Sequence, residues 1–355
     1  MKTISLCMIV KNEEDVLARC LNSVKDFVDE IIIVDTGSTD STIKIAKNFT
    51  DKVFHFTWND NFADARNFSF SHATCDYVMW LDADDIVPES TLSKLNKLKP
   101  TMTADVYMLK YAVSFLNAKP SFCFYRERIL KNCKDCIWQG CVHECITPFG
   151  KVERLDINIE HRKLKLSDPD RNLKIYKKTL RTRPLNPREQ YYYSRELFDH
   201  KQYQKCITEM RKFTSSKQGW IENVIDGYYI IAQCYNKLNN KEKELQYLFK
   251  TFELDSPRAN ICCKIGDFFM DLKKYEISTF WHKLATNCHE TTTNYGFIEP
   301  LYYNYYPYLQ LCKSYYFLNN LELSEYYNNL TGEVYPESEA VKHNKLFFEK
   351  IKNKQ

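Results

Sequence analysis

The segment Asp76-Tyr-Val-Met-Trp-Leu-Asp82-Ala-Asp84-Asp85 is a short apolar run that ends in three carboxylates. Tyr77 to Leu81 has the composition of a buried strand, and Pro88 opens a new element. Carboxylates crowded at a strand's end repel one another and lose hydration. A divalent cation relieves both costs. Hard oxygen ligands suit Mg²⁺ or Mn²⁺, and such ions favour a phosphate-bearing ligand. A polar turn with an aspartate capping a helix explains the same residues without an ion.

These carboxylates need a frame, and the first hundred residues have the pattern of one. Ile4–Val10 is an apolar run, Glu13–Phe27 has helical spacing through Val16, Leu17, Cys20, Leu21 and Val24, and Ile31–Val34 is β-branched. Asp35-Thr-Gly-Ser-Thr-Asp40 follows, then a helix through Ile43, Ile45 and Ala46. A strand at Val53–Phe56, a helix at Ala63–Ala73 and a strand at Tyr77–Leu81 complete the alternation. This predicts an α/β domain with a mostly parallel sheet and ligands at the carboxyl ends of its strands. The polar clusters after Val10, Val34 and Leu81 fall at that edge and are expected to converge. From Ala104 to His161 short strands follow (Val106–Tyr111, Phe122–Tyr125, Val142–Ile146, Leu155–Ile159), read as a mixed or antiparallel extension over the active edge. Asp168–Thr182 reads as a helix broken by Arg183-Pro184-Leu-Asn-Pro187, which places the domains at 1–183 and 184–355.

Beyond Pro187 the pattern is helical. Leu197 with Tyr203, Tyr235 with Lys241, Phe269 with Tyr275, and Tyr316 with Glu322 each mark a helix end and the next start, six residues apart. The first three pairs recur after 38 and 34 residues and the fourth after 47, the excess lying around Thr291–Pro300. The period and its small or aromatic anchors resemble tetratricopeptide repeats, with an unrelated helical bundle as the alternative.

Four ordered motifs carry a family resemblance: Ser5-Leu-Cys-Met-Ile-Val-Lys-Asn-Glu-Glu14, Ile31-Ile-Ile-Val-Asp-Thr-Gly-Ser-Thr-Asp40, Phe62-Ala-Asp-Ala-Arg-Asn67 and Tyr77-Val-Met-Trp-Leu-Asp-Ala-Asp-Asp85. Over about residues 3–180, about half of the chain, they resemble family 2 glycosyltransferases of the GT-A fold. With the repeat-like helices behind them, the whole chain is similar to bacterial two-domain glycosyltransferases, including the sublancin-type peptide S-glycosyltransferases. The resemblance implies that Asp35 accepts a uracil N–H or holds a ribose hydroxyl, and that backbone groups of Val10, Lys11 and Asn12 grip the base. It puts Asp82 and Ala83 at the ribose and Asp84 at a metal bridging the diphosphate, with Arg66 fixing base or diphosphate. Asp85 is then a supporting or acceptor-side carboxylate. In Gly140-Cys-Val-His143-Glu144, Glu144 is the candidate base and His143 shapes the pocket or touches phosphate. His161 is a candidate third metal ligand. Structural alternatives stand beside each role: a turn for Asp35, a salt bridge with Asp64 for Arg66, an ion pair with Arg126 or Arg128 for Glu144, and a satisfied histidine for His161.

Cys133, Cys136, Cys141, His143 and Cys145 have zinc-ligand types, and Cys141, His143 and Cys145 would share a strand face. Small buried hydrophobes are the favoured reading. Fourteen cysteines without a secretion signal fit a reducing interior, and the expected location is cytoplasmic. The first apolar run is too short to span a membrane, and a net charge of +4 without a basic block gives no reason to expect nucleic acid. The Gln-x-x-Arg-Trp segment of processive synthases and a Gly-x-Gly-x-x-Gly fingerprint are both missing, which argues against polymerisation and redox chemistry. The expected function is inverting, metal-dependent transfer from a nucleotide sugar, UDP-linked, to a cysteine, serine or threonine of a peptide or protein. The helical domain would bind that acceptor, form a homodimer, or both. Transfer to a lipid-linked or surface glycan and a non-catalytic repeat scaffold are the rivals.

Overall fold

The computed structural model describes residues 2–116, 119–164, 168–289 and 296–353. The chain divides into two compact units: Met1–Ser114 with Cys123–Glu189, and Phe115–Phe122 with Gln190–Gln355.

The first unit opens with β1 (Ile4–Val10), α1 (Leu17–Val24), β2 (Glu30–Asp35), α2 (Thr42–Ala46), β3 (Val53–His55), α3 (Phe62–Phe70) and β4 (Tyr77–Trp80). It continues with β5 (Asp85–Ile86), α4 (Glu89–Leu98), β6 (Val106–Leu116), β7 (Lys119–Lys131), β8 (Trp138–Gln139), β9 (Cys145–Ile146), β10 (Val152–His161) and α5 (Arg171–Thr179). Eight strands form one sheet in the order β3-β2-β1-β4-β7-β6-β10-β5. β1 runs parallel to β2 and β4, while β7 meets β4 antiparallel. Leu6 and Met8 of β1 pack with Leu17 and Leu21 on one face, and Cys7 packs with Ala63 and Phe70 on the other. Burial on both faces is why this strand reads as an unbroken apolar run.

Three expectations need correction. The helix expected over Glu13–Phe27 is the shorter α1, entered by a turn in which Glu13 O accepts from Val16 and Leu17 N–H. The strand expected at Phe122–Tyr125 is part of the much longer β7. The strand expected over Val142–Ile146 shrinks to Cys145–Ile146, because Gly140 (φ 98°) and His143 (φ 51°) take left-handed conformations that no strand accommodates. Cys141, His143 and Cys145 therefore share no strand face.

The second unit holds the helices α6 (Pro187–Asp199), α7 (Tyr203–Ser215), α8 (Ile221–Lys237), α9 (Lys241–Lys250), α10 (Ala259–Asp271), α11 (Tyr275–Asn287), α12 (Tyr305–Phe317), α13 (Leu321–Val334) and α14 (Glu339–Lys352). Four tight turns join α6–α7, α8–α9, α10–α11 and α12–α13, with Lys201, Asn239, Lys273 and Asn319 each at φ 57–58°. In each, the next N–H closes back onto the carbonyl of Leu197, Tyr235, Phe269 or Tyr315 at 2.8–2.9 Å, the Schellman geometry. The fourth anchor is thus Tyr315 rather than Tyr316. No described helix is long and apolar enough to cross a membrane.

Candidate active site

The carboxyl ends of β1 and β2 are locked together. Val10 pairs with Asp35 in register, and Thr36 N–H donates to Val10 O at 3.0 Å. Asp35 is 3% exposed and spends its carboxylate on the turn that follows, accepting from Gly37 N at 3.0 Å and Ser38 N at 3.1 Å. Asn12, at φ 56°, accepts from Thr39 N at 2.8 Å, and its own N–H donates to Ser38 Oγ at 2.9 Å. Lys11 is exposed beside it.

At the end of β4 a buried arginine joins two carboxylates. Arg66, within α3, donates from Nε to Glu144 Oε1 at 2.6 Å and from Nη2 to Asp82 Oδ1 at 2.7 Å. Its guanidinium lies 4.9 Å from both the Trp80 and Trp138 ring centroids. Burial works against its charge, but Asp82 and Glu144 outweigh that and raise its pKa. Burial likewise pushes Asp82 up, yet Arg66, then Arg128, pull it down to about 2. Arg66 Nη1 is buried and has no hydrogen-bond partner among the described residues. The ion pairs suggested for Glu144 with Arg126 or Arg128 and for Arg66 with Asp64 are replaced by this one bridge; Arg126 instead donates to the Glu144 backbone carbonyl at 3.1 Å.

Asp84 and Asp85 part company. Asp84, partly exposed after Ala83, lies 3.2 Å from His161 Nδ1. Asp85 is 0% exposed: it pairs with Arg128 Nη1 at 2.9 Å, accepts from Tyr111 Oη at 2.8 Å and from Asp82 N at 3.0 Å. Its carboxylate faces Arg128, Tyr111 and His161 rather than solvent. Burial lowers the His161 pKa, but bonds to Asp84 and Asp85 win and lift it to about 10. His143 makes its backbone bend beside Glu144, its carbonyl accepting from Arg188 at 3.1 and 3.2 Å.

The sequence of residues 5–134 matches the family described as Glycosyl transferase family 2. The chain carries a family 2 glycosyltransferase domain. The matched span includes Asp35, Arg66 and Asp82 to Asp85, and ends before Glu144 and His161. A TPR repeat-containing protein of Synechococcus elongatus is 51% identical over 85 residues, 24% of this chain and 21% of that protein. The SPbeta prophage-derived glycosyltransferase SunS of Bacillus subtilis is 27% identical over 285 residues, 75% of this chain and 65% of that protein. An uncharacterized glycosyltransferase of Rickettsia typhi is 36% identical over 116 residues, 33% of this chain and 39% of that protein. The chain spans less than two thirds of each relative's length.

Within the glycosyltransferase domain, ligand atoms of Asp84, Asp85 and His161 lie within 4.8 Å of one another. Two carboxylates and an imidazole fit a hard or borderline divalent cation. Arg128 already pairs with Asp85 at 2.9 Å, and Asp84 and His161 are the partly exposed members of this group. Among the described residues no such group includes Cys133, Cys136, Cys141 or Cys145. Cys136 packs with Trp80 and Trp138, and Cys141 Sγ faces Thr179 and Glu189. Tyr111, which bonds Asp85 and His161, was missed by sequence reasoning, and Arg128 was considered only as a partner of Glu144 when it pairs with Asp85. Alternation in Arg126-Glu-Arg128, with β7 drawn at its full length, is the signal that would have found Arg128.

Proposed function

We propose that this chain is an inverting, metal-dependent glycosyltransferase that moves a sugar from a nucleotide sugar, UDP-linked, to a cysteine, serine or threonine side chain of a peptide or protein. The carrying observation is the Arg66 bridge from Asp82 to Glu144, set beside the Asp84–His161 pair at one sheet edge. In this reading residues 1–183 perform the chemistry, and residues 184–355 bind the acceptor or a second copy of the chain.

Asp35 is rigid because Gly37 and Ser38 hold it, and it keeps lone pairs for the base or ribose. Backbone groups of Val10, Lys11 and Asn12 line the same edge, and Asp82 and Ala83 take the ribose side. Arg66 offers its unpartnered Nη1–H to the donor. Asp84 and His161 would hold Mn²⁺ or Mg²⁺, which when bound supplies Lewis-acid neutralisation of the departing diphosphate. Glu144 takes the acceptor proton as the acceptor oxygen or sulfur bonds to the anomeric carbon and the bond to diphosphate oxygen breaks. Its pairing with Arg66 fixes the orientation of the carboxylate. His143 shapes the pocket wall through its bend.

The test is a nucleotide-sugar hydrolysis panel, followed by mass spectrometry with cysteine-, serine- and threonine-bearing peptides. Turnover of one UDP-sugar and a hexose-sized mass gain on a peptide are expected. Turnover of none, with no mass gain, contradicts the proposal.

A further inference from the structure

The helical unit contains a cavity of about 230 Å³ with aromatic walls that include Phe122, Phe198, Tyr229 and Phe297. Phe122 comes from the hairpin tip that groups with this unit, and it stacks on Phe297 at 5.7 Å. Between these walls the lining is ionic and unbalanced. Asp199, Glu222, Asp226 and Glu299 bring four carboxylates against the two guanidiniums of Arg195 and Arg258.

Both guanidiniums are already engaged. Arg258 forks onto Glu222 at 2.6 and 2.7 Å and also donates to Asp255 at 2.8 Å. Arg195 donates to Tyr191 Oη at 3.0 Å and to Asp226 at 3.4 Å. Glu299 accepts from the Asn260 amide at 2.8 Å and forms no ion pair among the described residues. Burial pushes its carboxyl up and Asp226 adds to the rise, while the Asn260 bond and the charges of Lys264 and Arg195 work the other way. A ligand cation would relieve all of this, and aromatic walls favour a cation further. The chain as a whole carries +4, so this excess of negative charge is local.

The cavity is not isolated. A second one, of about 360 Å³, shares Tyr229 and Gln233 with it and continues past Asn236 and Asp267 along α8 and α10. Gln233 and Asn236 stand three residues apart on α8, so both amides border the continuation. A small amine would fill only the first cavity. An extended chain would reach both, meeting the Gln233 amide and the carbonyl oxygen of Asn236, whose NH2 already donates to Glu244 at 2.7 Å.

We infer that this groove seats an extended segment of the acceptor polypeptide, with a lysine or arginine side chain between the aromatic walls, directed to Glu299. The inference rests on the polypeptide-acceptor reading and adds to it a charge requirement away from the modified residue.

Fluorescence anisotropy tests it with the full chain and labelled Gly/Ser peptides carrying a central arginine, glutamine or glutamate. The arginine peptide should bind about ten-fold tighter than the glutamine one, the size of one charge-assisted contact, and lose that margin as salt rises. Glu299→Gln should erase the margin while leaving the melting temperature and nucleotide-sugar hydrolysis unchanged. Should that variant misfold, Tyr229→Leu keeps the charge and should weaken the arginine peptide alone. Equal binding of all three peptides, an undiminished margin in Glu299→Gln, or competition by arginine amide as effective as by the peptide would overturn the groove. Transfer onto peptides without charge preference removes the groove and keeps the transferase; charge-selective binding without sugar turnover does the reverse.

Discussion

Asp84 and Asp85 are neighbours in sequence with opposite fates, and the difference is burial. Asp84 keeps an accessible oxygen beside His161, whereas Asp85 is sealed against Arg128 and Tyr111. Asp84→Asn should lower turnover by about 10³-fold, since it removes the charge that would hold the cation. Its melting temperature should stay near wild type, because only the His161 contact is lost; a rate assay beside a thermal melt reads both. Arg128→Met should behave in the opposite way. Taking the guanidinium from buried Asp85, which keeps His161 and Tyr111 beside it, costs about 3 kcal/mol, measurable as a shifted denaturant midpoint. Glu144→Gln separates acceptors: a serine hydroxyl should lose about 10²–10⁴-fold in rate, and a cysteine thiol, which ionises near pH ~8.5, should lose less. Equal loss on both would count against Glu144 as the base. Type and spacing singled out Asp82, Asp84 and Asp85 in the sequence, and the family resemblance pointed to Glu144, which the structure joins to Asp82 through Arg66. Their partners were not legible there. Arg66 reaches Glu144 across 78 residues, and no local pattern encodes that.

The elements that hold the site were legible where burial is two-sided. β1, β2 and β4 read as apolar runs because the sheet is covered on both faces, and their order placed three polar loops at one edge. β7 was largely hidden. Its Arg126-Glu-Arg128 stretch looks like solvent-facing loop, yet Glu127 and Arg128 are 4% and 0% exposed because each charge is paired. The repeat turns were legible to within one residue, the slip occurring where Tyr315 and Tyr316 offer two adjacent aromatics. Those turns make a stability prediction: Lys273→Gly relieves a left-handed side chain (φ 57°) and should raise stability by up to about 1 kcal/mol, read as a higher denaturant midpoint. At the base of β2, Glu30 ties Ser5, Lys52 and Thr74 together. Burial raises its pKa, but the Lys52, Ser5 and Thr74 bonds outweigh that and lower it from 4.5 to about 2. A folded-state pKa below the unfolded one gives stability that is full above about pH 4.5 and is lost as pH falls toward about 2. Glu30→Gln should therefore flatten the stability profile across that window, in denaturation series taken at successive pH values.

At the scale of the whole chain, one unit has a cluster of carboxylates at a strand edge and the other a groove with excess negative charge in a chain of net charge +4. The architecture, an α/β sheet followed by paired helices, was readable from short apolar runs alternating with helical spacing, and from where those runs give way to helices alone. The acceptor was not, because its recognition depends on cavity walls contributed by Phe122, Tyr229 and Phe297, far apart in sequence. The transferase reading depends on the first unit binding a nucleotide diphosphate through a cation. Calorimetric titration of UDP into the full chain, with Mn²⁺ and with chelator, tests that directly. Binding that requires Mn²⁺ in the wild type and is lost in Asp84→Asn is the expected result; UDP binding that is absent, or indifferent to both the metal and Asp84, would contradict it.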